Sequence, residues 1–220
     1  MIRQIVLPGT FLTEAGSKKA GKGTFIENDA IYSARLGILE ERGDYINVIP
    51  LSGAYEPSIG DTVIGIVEEA MRNAWLIDIN APYPALLGVE ESPWKINYGE
   101  TAKYLKAGEM VIAVIARIDE ARNIELTMKS KPCRKIEDGF IIEIQPTKVP
   151  RVIGKNASML SVIKKYTGCW IFVGQNGRIW LKCPDERLGL AIEAIRKIES
   201  EAHTVGLTQR IEKMLRDRNG

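Results

Sequence analysis

Short apolar runs separated by glycine-rich turns dominate the N-terminal part of the chain. The first 52 residues have little helical periodicity. Two segments, Ala30 to Glu40 and Tyr45 to Leu51, are predicted as β-strands joined by a turn at Arg42-Gly43-Asp44. This pattern predicts a β-rich N-terminal domain. The turn-forming stretch Ser52 to Asp61 then predicts a linker.

The middle of the chain continues the β pattern with tighter turns. Near its end Ile124, Leu126 and Met128 alternate with polar residues, as in a strand with one buried face. Several short strands joined by tight turns predict a small barrel. The predicted strands are Thr62 to Val67, Ala74 to Ile79, Met110 to Ile118 and Asn123 to Met128.

After Pro132 the apolar spacing alternates between strand and helix. The order predicted here is β-α-α-β-β-α, followed by one more helix. A hairpin turns at Gly174-Gln175-Asn176-Gly177, where Asn-Gly favours a tight turn. The predicted elements are a strand Gly139 to Ile144, a short helix ending at Ile153, a helix Ser158 to Tyr166, strands Cys169 to Val173 and Arg178 to Cys183, a helix from Asp185, and a helix Thr208 to Asp217.

Length and composition fit a soluble multidomain protein. The 220 residues are 45% apolar and 26% charged. The predicted fold class is multidomain, mainly β and then α+β, with domains at 1–52, 53–130 and 131–220. No apolar run is long enough for a membrane span, and Met1 to Pro8 does not form a signal peptide, so we expect no membrane contact and a cytoplasmic location.

Few residues have the chemistry of a catalytic or metal site. Cys133, Cys169 and Cys183 are widely spaced, which predicts no disulfide framework. With the single histidine, His203, they form no zinc pattern. His203 is predicted near the C-terminal end of a helix, where a surface cation is common. We therefore expect no enzyme activity, no metal and no cofactor.

The charges are distributed unevenly. Residues 53–130 have seven basic and twelve acidic side chains, whereas residues 131–220 have seventeen basic and ten acidic ones. Between Ile144 and Pro184 there is no Asp or Glu. A surface of one sign suits a polyanion such as RNA. The alternative is a chance asymmetry that acidic groups of a neighbouring domain neutralise.

A small loop between two predicted helices is the first motif with a functional interpretation. The stretch Val149 to Asn156 and the loop Gly154-Lys155-Asn156-Ala157 resemble a KH domain, whose GXXG loop clamps the backbone of single-stranded RNA. The resemblance implies RNA contacts from Arg151, Gly154, Lys155 and Asn156. Ala157 replaces the second glycine, which leaves open that the fold is kept for architecture alone.

The middle region resembles an S1 domain, an RNA binder with an OB-fold barrel. The resemblance rests on Gly60 to Val67, Leu76 to Ile79 and Ala107 to Thr127. Such barrels stack bases on aromatic side chains and contact phosphates with basic ones. The candidates are Arg72, Arg117, Arg122 and Tyr83, with Trp75 as either an RNA contact or a core residue. The acidic balance of residues 53–130 argues against a broad binding groove.

The GxNG hairpin Gly174-Gln175-Asn176-Gly177, in a KH-like domain that follows a barrel, resembles a signature of RNA exosome cap proteins. Gln175 and Asn176 are interpreted as packing contacts to the barrel that fix the angle between the domains. The alternatives are RNA contact or a simple turn.

The whole domain order resembles the S1/KH cap subunits of the archaeal RNA exosome. Val6 to Gly9, Gly21 to Thr24 and Gly53 to Pro57 extend the resemblance to the first domain. It implies a non-catalytic subunit that feeds single-stranded RNA to a 3′–5′ phosphorolytic ring of RNase PH type and stabilises the assembly. Three copies would dock through residues 1–52. The alternatives are a free-standing S1/KH RNA-binding or translation factor, or an RNA-processing enzyme.

Overall fold

The structure is a computed structural model that describes residues 4–202, 204 and 206–218. The chain divides after Gly53 into two compact units. The N-terminal unit contains seven described strands in two sheets, with the orders β1-β6-β7-β3 and β2-β5-β4. Its strands are β1 (Ile5–Val6), β2 (Phe11–Glu14), β3 (Lys19–Ala20), β4 (Thr24–Glu27), β5 (Ala30–Ser33), β6 (Gly37–Arg42) and β7 (Tyr45–Pro50).

The predicted strand Ala30 to Glu40 is wrong as a single element. The chain bends after β5, so that β5 and β6 belong to different sheets. The buried Ser33 hydroxyl donates to the Arg35 carbonyl at 2.6 Å and accepts from the Arg35 amide at 3.4 Å. This local pairing competes with the strand ladder, and it ends the strand at Ser33.

The second unit begins with a closed five-stranded barrel. Its strands are β8 (Thr62–Ala70), β9 (Ala74–Asp78), β10 (Ala85–Gly88), β11 (Met110–Ile118) and β12 (Ile124–Thr127). The order β12-β10-β9-β8-β11 closes because β12 also pairs with β11, and β10 and β12 are parallel. A further strand, β13 (Arg134–Ile136), extends the sheet from β11. The barrel is of the OB type, which confirms the predicted architecture.

Trp75 belongs to the interior of this barrel. Its side chain is fully buried, its ring contacts Trp94 edge to face, and its indole N–H donates to the Leu105 carbonyl at 3.1 Å. A buried and satisfied indole cannot stack on a base. Of the two interpretations of Trp75, the structure therefore supports the core residue and excludes direct RNA contact.

The rest of the second unit is an α/β module. Its elements are β14 (Phe140–Glu143), α1 (Val149–Ile153), α2 (Ser158–Thr167), β15 (Trp170–Val173), β16 (Arg178–Lys182), α3 (Asp185–Ser200) and α4 (Leu207–Asp217). The sheet order is β14-β16-β15, and the helices cover one face. Ile163, Ile195 and Ile211 bury the apolar faces of α2, α3 and α4. The predicted KH-type order is confirmed.

The cysteine prediction is wrong for one pair. Cys169 and Cys183 form a disulfide, with their Cα atoms 4.3 Å apart. Cys169 directly precedes Trp170 and Cys183 directly follows Lys182, and Trp170 and Lys182 form the outermost pair of the β15–β16 hairpin, so strand pairing brings together two residues that are distant in sequence. Cys133 is free. His203 lies outside the described residues. None of the helices that the structure describes is both long and apolar enough to cross a membrane.

The barrel and the α/β module share an apolar contact within the second unit. Trp180 of β16 packs with Ile64, Ile112 and Ile136 of the barrel sheet. All four side chains are buried, with Trp180 at 7% exposure. The face of the β14-β16-β15 sheet opposite the helices is therefore partly covered by the barrel.

Candidate nucleic-acid interface

The strand register places the barrel residues of interest at two opposite ends. Ala70 pairs with Trp75 beside the turn that contains Arg72. At the other end Ile77 pairs with Ala85 and Ile118 pairs with Ile124. The loops with Tyr83 and Arg122 project from this second end. The sequence-predicted barrel residues therefore do not form one site.

A groove of about 370 Å³ lies at the end with Tyr83 and Arg122. This volume falls in the range of pockets that hold small organic groups. Tyr83 is 58% exposed, and the prolines on either side restrict the backbone at this position. The groove thus offers an aromatic ring for a base and a guanidinium for a phosphate. It is lined by Tyr55, Glu56, Pro57, Pro82, Tyr83, Ile118, Arg122 and Ile124.

Two local hydrogen-bond systems fix the walls of this groove. The Tyr55 hydroxyl donates to the Asp61 carboxylate at 2.7 Å, and that carboxylate also accepts from the Ser58 amide. Burial, followed by the bond to Asp61, raises the pKa of Tyr55 well above its usual range, so Tyr55 stays neutral at physiological pH.

The Arg122 loop is closed by its neighbours. The Asp119 carboxylate accepts from the Asn123 side chain and amide, both at 2.8 Å. These bonds hold the pKa of Asp119 below its usual value. Arg122 itself takes a left-handed conformation, with φ of 64°. The loop therefore presents an exposed Arg122 side chain from a fixed backbone.

Arg117 has a partner on the barrel surface. Its guanidinium contacts the Glu125 carboxylate, with Nη2 at 2.5 Å and Nε at 3.1 Å. The hydrogen bond to Glu125 raises the pKa of Arg117, and both side chains are exposed. Exposed ion pairs contribute little to stability, so a phosphate could replace the carboxylate.

The opposite end of the barrel has its own aromatic and basic groups. The Gly99 amide donates to the Arg72 carbonyl at 2.9 Å, which brings the Tyr98 segment beside the Arg72 turn. Arg72 is exposed, and Tyr98 is 75% exposed. Sequence reasoning missed Tyr98 because no motif marks it. Any RNA contact from Arg72 stays a prediction.

The KH-like loop keeps the backbone of a glycine-rich loop despite its alanine. Gly154 has φ of 74°, and Asn156 and Ala157 have φ of 52° and 58°. The Lys155 and Asn156 side chains are exposed. Arg151, by contrast, donates from Nη2 to the Thr204 carbonyl at 2.8 Å, so its guanidinium is held against the segment after α3.

The hairpin loop Gly174-Gln175-Asn176-Gly177 contacts the barrel through a buried side-chain amide. Asn176 is fully buried. Its Nδ2 donates to the carbonyls of Ile64 and Ile79 at 2.8 and 2.9 Å, and its Oδ1 accepts from the Ile64 amide at 3.3 Å. The Gln175 amide donates to the Thr62 carbonyl at 2.9 Å. These bonds join the α/β module to the barrel.

A buried arginine stands beside this joint. Arg178 is 4% exposed and forms ion pairs with Asp78 and with Glu143, the latter at 2.9 Å. It also donates to the Asp78 carbonyl at 2.8 Å. Sequence reasoning named Arg178 only as the first residue of a predicted strand, in the segment that has no Asp or Glu. Within the part of the chain that the structure describes, no group of three His, Cys, Asp or Glu side chains could hold a metal ion.

Two family models match parts of the chain. The model described as the N-terminal domain of the exosome RNA binding protein RRP4 matches residues 3–52, and the KH domain model matches residues 139–187. A crystal structure of a protein provisionally described as an exosome complex RNA-binding protein is 39% identical. It superposes with a TM-score of 0.69 over 75% of this chain and 97% of that one.

Curated relatives match almost the whole chain. The exosome complex component Rrp4 of Methanosarcina mazei is 45% identical over 99% of this chain and 83% of its own length. The Rrp4 proteins of Pyrococcus furiosus and Picrophilus torridus are 45% and 41% identical, each over 97% of this chain. At this identity and coverage, the chain belongs to the family of the exosome complex component Rrp4.

Proposed function

We propose that this chain is a non-catalytic RNA-binding cap component of an archaeal RNA exosome. It recruits RNA, feeds it to a 3′–5′ phosphorolytic ring of RNase PH type, and stabilises the assembly. The near full-length identity of 45% to an exosome component is the observation that carries this proposal. The same match weighs against a free-standing S1/KH factor. We further propose three copies per complex and a cytoplasmic location.

The three predicted domains divide this work. We propose that residues 1–52 dock on the ring, that residues 53–130 contact RNA, and that residues 131–220 lie at the periphery. Exposed apolar side chains on the N-terminal unit are the candidate docking contacts, since contiguous apolar surface marks protein interfaces. They include Ile5, Leu7, Phe11 and Ile26, which are between 54% and 63% exposed.

The groove with Tyr83 and Arg122 is the proposed RNA contact of the barrel. An exposed ring and an exposed guanidinium from two adjacent loops suit one nucleotide of a single strand, without selecting a sequence. Several such weak contacts around one pore raise affinity through multivalency. The acidic average of residues 53–130 is compatible with this, because only loop residues need to face RNA.

Charge reversal at the groove tests the proposal. In a complex reconstituted with ring subunits, Arg122→Glu should weaken capture of single-stranded RNA by about fivefold, because it replaces a phosphate contact by repulsion. The complex should keep its mass, since Arg122 lies in an exposed barrel loop. Binding is measured by fluorescence anisotropy, and mass by light scattering.

A matched variant places the same charge change at the other barrel end. Arg72→Glu compares the two ends directly, and the end that faces RNA is the one whose variant loses affinity. Unchanged affinity in Arg122→Glu removes Arg122 from the site. Failure of the chain to join any ring subunits, or steady RNA cleavage by the pure chain, contradicts the proposed function itself.

A further inference from the structure

An exposed tryptophan stands on the α/β module, away from the barrel groove. Trp170 is 72% exposed at the start of β15, which is an edge strand of the sheet. The chain has four tryptophans, and the other three are fully or partly buried. Tryptophan is highly buried on average in folded proteins, so a ring exposed to this extent is a candidate for contact with a ligand.

The strand register assigns Trp170 to the sheet face opposite the helices. Trp170 pairs directly with Lys182, and Phe172 pairs with Trp180. Directly opposed side chains share a face, and faces alternate along a strand. Trp180 packs against the barrel, so Trp170 and Lys182 lie on that same face, beyond the barrel contact. The Gly154–Ala157 loop joins α1 to α2 and therefore lies on the helix side.

Cations and aromatic rings alternate along this face. The guanidinium of Arg134 lies 4.9 Å from the ring centre of Trp180, and Lys182 follows on the same strand. Lys182 Nζ is 2.6 Å from the Asp138 carboxylate, and both side chains are more than half exposed. Such an exposed pair is weak enough for a phosphate to replace the carboxylate.

Trp170 and Lys182, together called the Trp170 platform, stand on strand ends that a disulfide fixes. The Cys169–Cys183 disulfide directly precedes Trp170 and follows Lys182, and so it ties together the strand ends that hold this pair. A fixed stacking surface loses little conformational freedom when a base binds. The disulfide therefore contributes to the geometry of the platform.

We propose that Trp170 and Lys182 form a second contact for single-stranded RNA, in which an unpaired base stacks on the indole and a phosphate binds the lysine. This rests on the proposed RNA-binding function and adds a site outside both the barrel groove and the KH-like loop. Charge favours RNA over a protein partner. The run Ile144 to Pro184, which contains β15 and β16, has no acidic residue, and the cations Arg134 and Lys182 both lie on this face of the sheet.

Substitution of Trp170 in the full chain tests the platform. With a labelled mixed-sequence oligoribonucleotide, Trp170→Ala should raise the Kd about fivefold or more, because one stacked base is lost. Trp170→Phe should keep most of the affinity but abolish the quenching of tryptophan fluorescence by unlabelled RNA. Lys182→Ala should lower the slope of log affinity against log salt by about 1.

Phe140→Ala is the matched control. Phe140 is 53% exposed on the other edge strand and pairs with Leu181, so it lies on the helix side of the same sheet. Its substitution should leave RNA affinity unchanged. Equal RNA affinities of wild type and Trp170→Ala would overturn the proposed RNA contact. If Trp170→Ala instead weakened binding to ring subunits, the surface would be assigned to a protein partner. Failure of the wild-type chain to bind RNA overturns the proposed function as well.

Discussion

Two four-residue loops of the α/β module share a glycine in the first position and an asparagine in the third, but the two asparagines have opposite environments. Gly154-Lys155-Asn156-Ala157 and Gly174-Gln175-Asn176-Gly177 each have asparagine in the third position. Asn156 is exposed, whereas Asn176 is fully buried and hydrogen-bonded to Ile64 in β8 and to Ile79 just after β9. The comparison shows that the partner facing a loop, rather than its motif, decides what an asparagine side chain does.

The backbone conformation of the second loop explains why the Asn176 side chain can contact the barrel. There Gly177 takes the positive φ of 83°, and a side chain at this position would meet the Ile144 carbonyl. In the first loop Asn156 and Ala157 take positive φ themselves. Asparagine tolerates this conformation better than most residues, and alanine does not. The two asparagines therefore have different roles, one in the backbone turn and one in a buried amide contact.

Asn176→Ala should give the largest effect. It leaves the Ile79 carbonyl and the Ile64 amide buried without their Asn176 partner, and the Ile64 carbonyl keeps only the longer bond from Arg178 Nη1 at 3.4 Å. We expect the free energy of unfolding of the second unit to fall by about 3 to 5 kcal/mol, since each buried unsatisfied group costs about 1–3 kcal/mol. Urea unfolding of the full chain, followed by circular dichroism, measures this loss.

Two control variants sharpen this test. Asn156→Ala in the first loop should cost about 1 kcal/mol or less, because only a left-handed turn position is affected. Gln175→Ala keeps the backbone bond to Thr62 and should stay within about 0.5 kcal/mol of wild type. Equal losses for Asn156→Ala and Asn176→Ala would refute the contrast between the loops.

Gly154→Ala should have the next largest effect. Gly154 has φ of 74° and ψ of 169°, a region almost confined to glycine, and a Cβ would stand 2.7 Å from the Met159 amide nitrogen. We expect a loss of about 2 kcal/mol in thermal or urea unfolding.

The control for this substitution is Gly189→Ala within α3. Nothing lies within 4 Å of a Cβ at Gly189, so alanine there should stabilise the helix by about 1 kcal/mol. A loss at Gly189, or no loss at Gly154, contradicts this account of the two glycines.

The α/β module is the region that sequence predicts best. Its helices repeat apolar residues at helical spacing, and its hairpin is marked by Asn-Gly, so local pattern is sufficient for the order of elements. The joint with the barrel depends on more than local pattern. The packing interpretation of Asn176 rests on a family resemblance, and the bonds of Arg178 to Asp78 join positions 100 residues apart.

The barrel is predicted only in outline. Strand β10 is four residues long and follows Pro82 and Pro84, so its alternation is too short to give a periodic signal. Arg72 and Arg122 lie at opposite ends of the barrel because of the strand register, which cannot be predicted from the local sequence pattern. The Cys169–Cys183 disulfide is missed for the same reason, because hairpin pairing alone brings the two thiols together.

Two exposed aromatic residues, Tyr98 and Trp170, gave no signal in the sequence, in contrast to Tyr83. Tyr98 and Trp170 are large aromatic residues of the kind that usually fill a core, and only the three-dimensional structure shows that both are exposed. The assignments of RNA contacts to Arg117, Lys155 and the other candidates stay predictions. Whether a surface residue binds RNA depends on the assembled complex and on where the strand runs.

Ala157→Gly should give the smallest change in the free energy of unfolding. It also tests whether the first loop, Gly154–Ala157, contacts RNA. It removes a Cβ from a left-handed position, so the free energy of unfolding should rise by about 0.5 to 1 kcal/mol. If Lys155 and the loop amides also contact RNA, the restored glycine lets the phosphate approach more closely, and we expect a modest gain in RNA affinity by anisotropy. Greater stability with unchanged affinity would mean that this loop serves the fold alone, and it would leave the barrel groove and the Trp170 platform as the proposed RNA contacts.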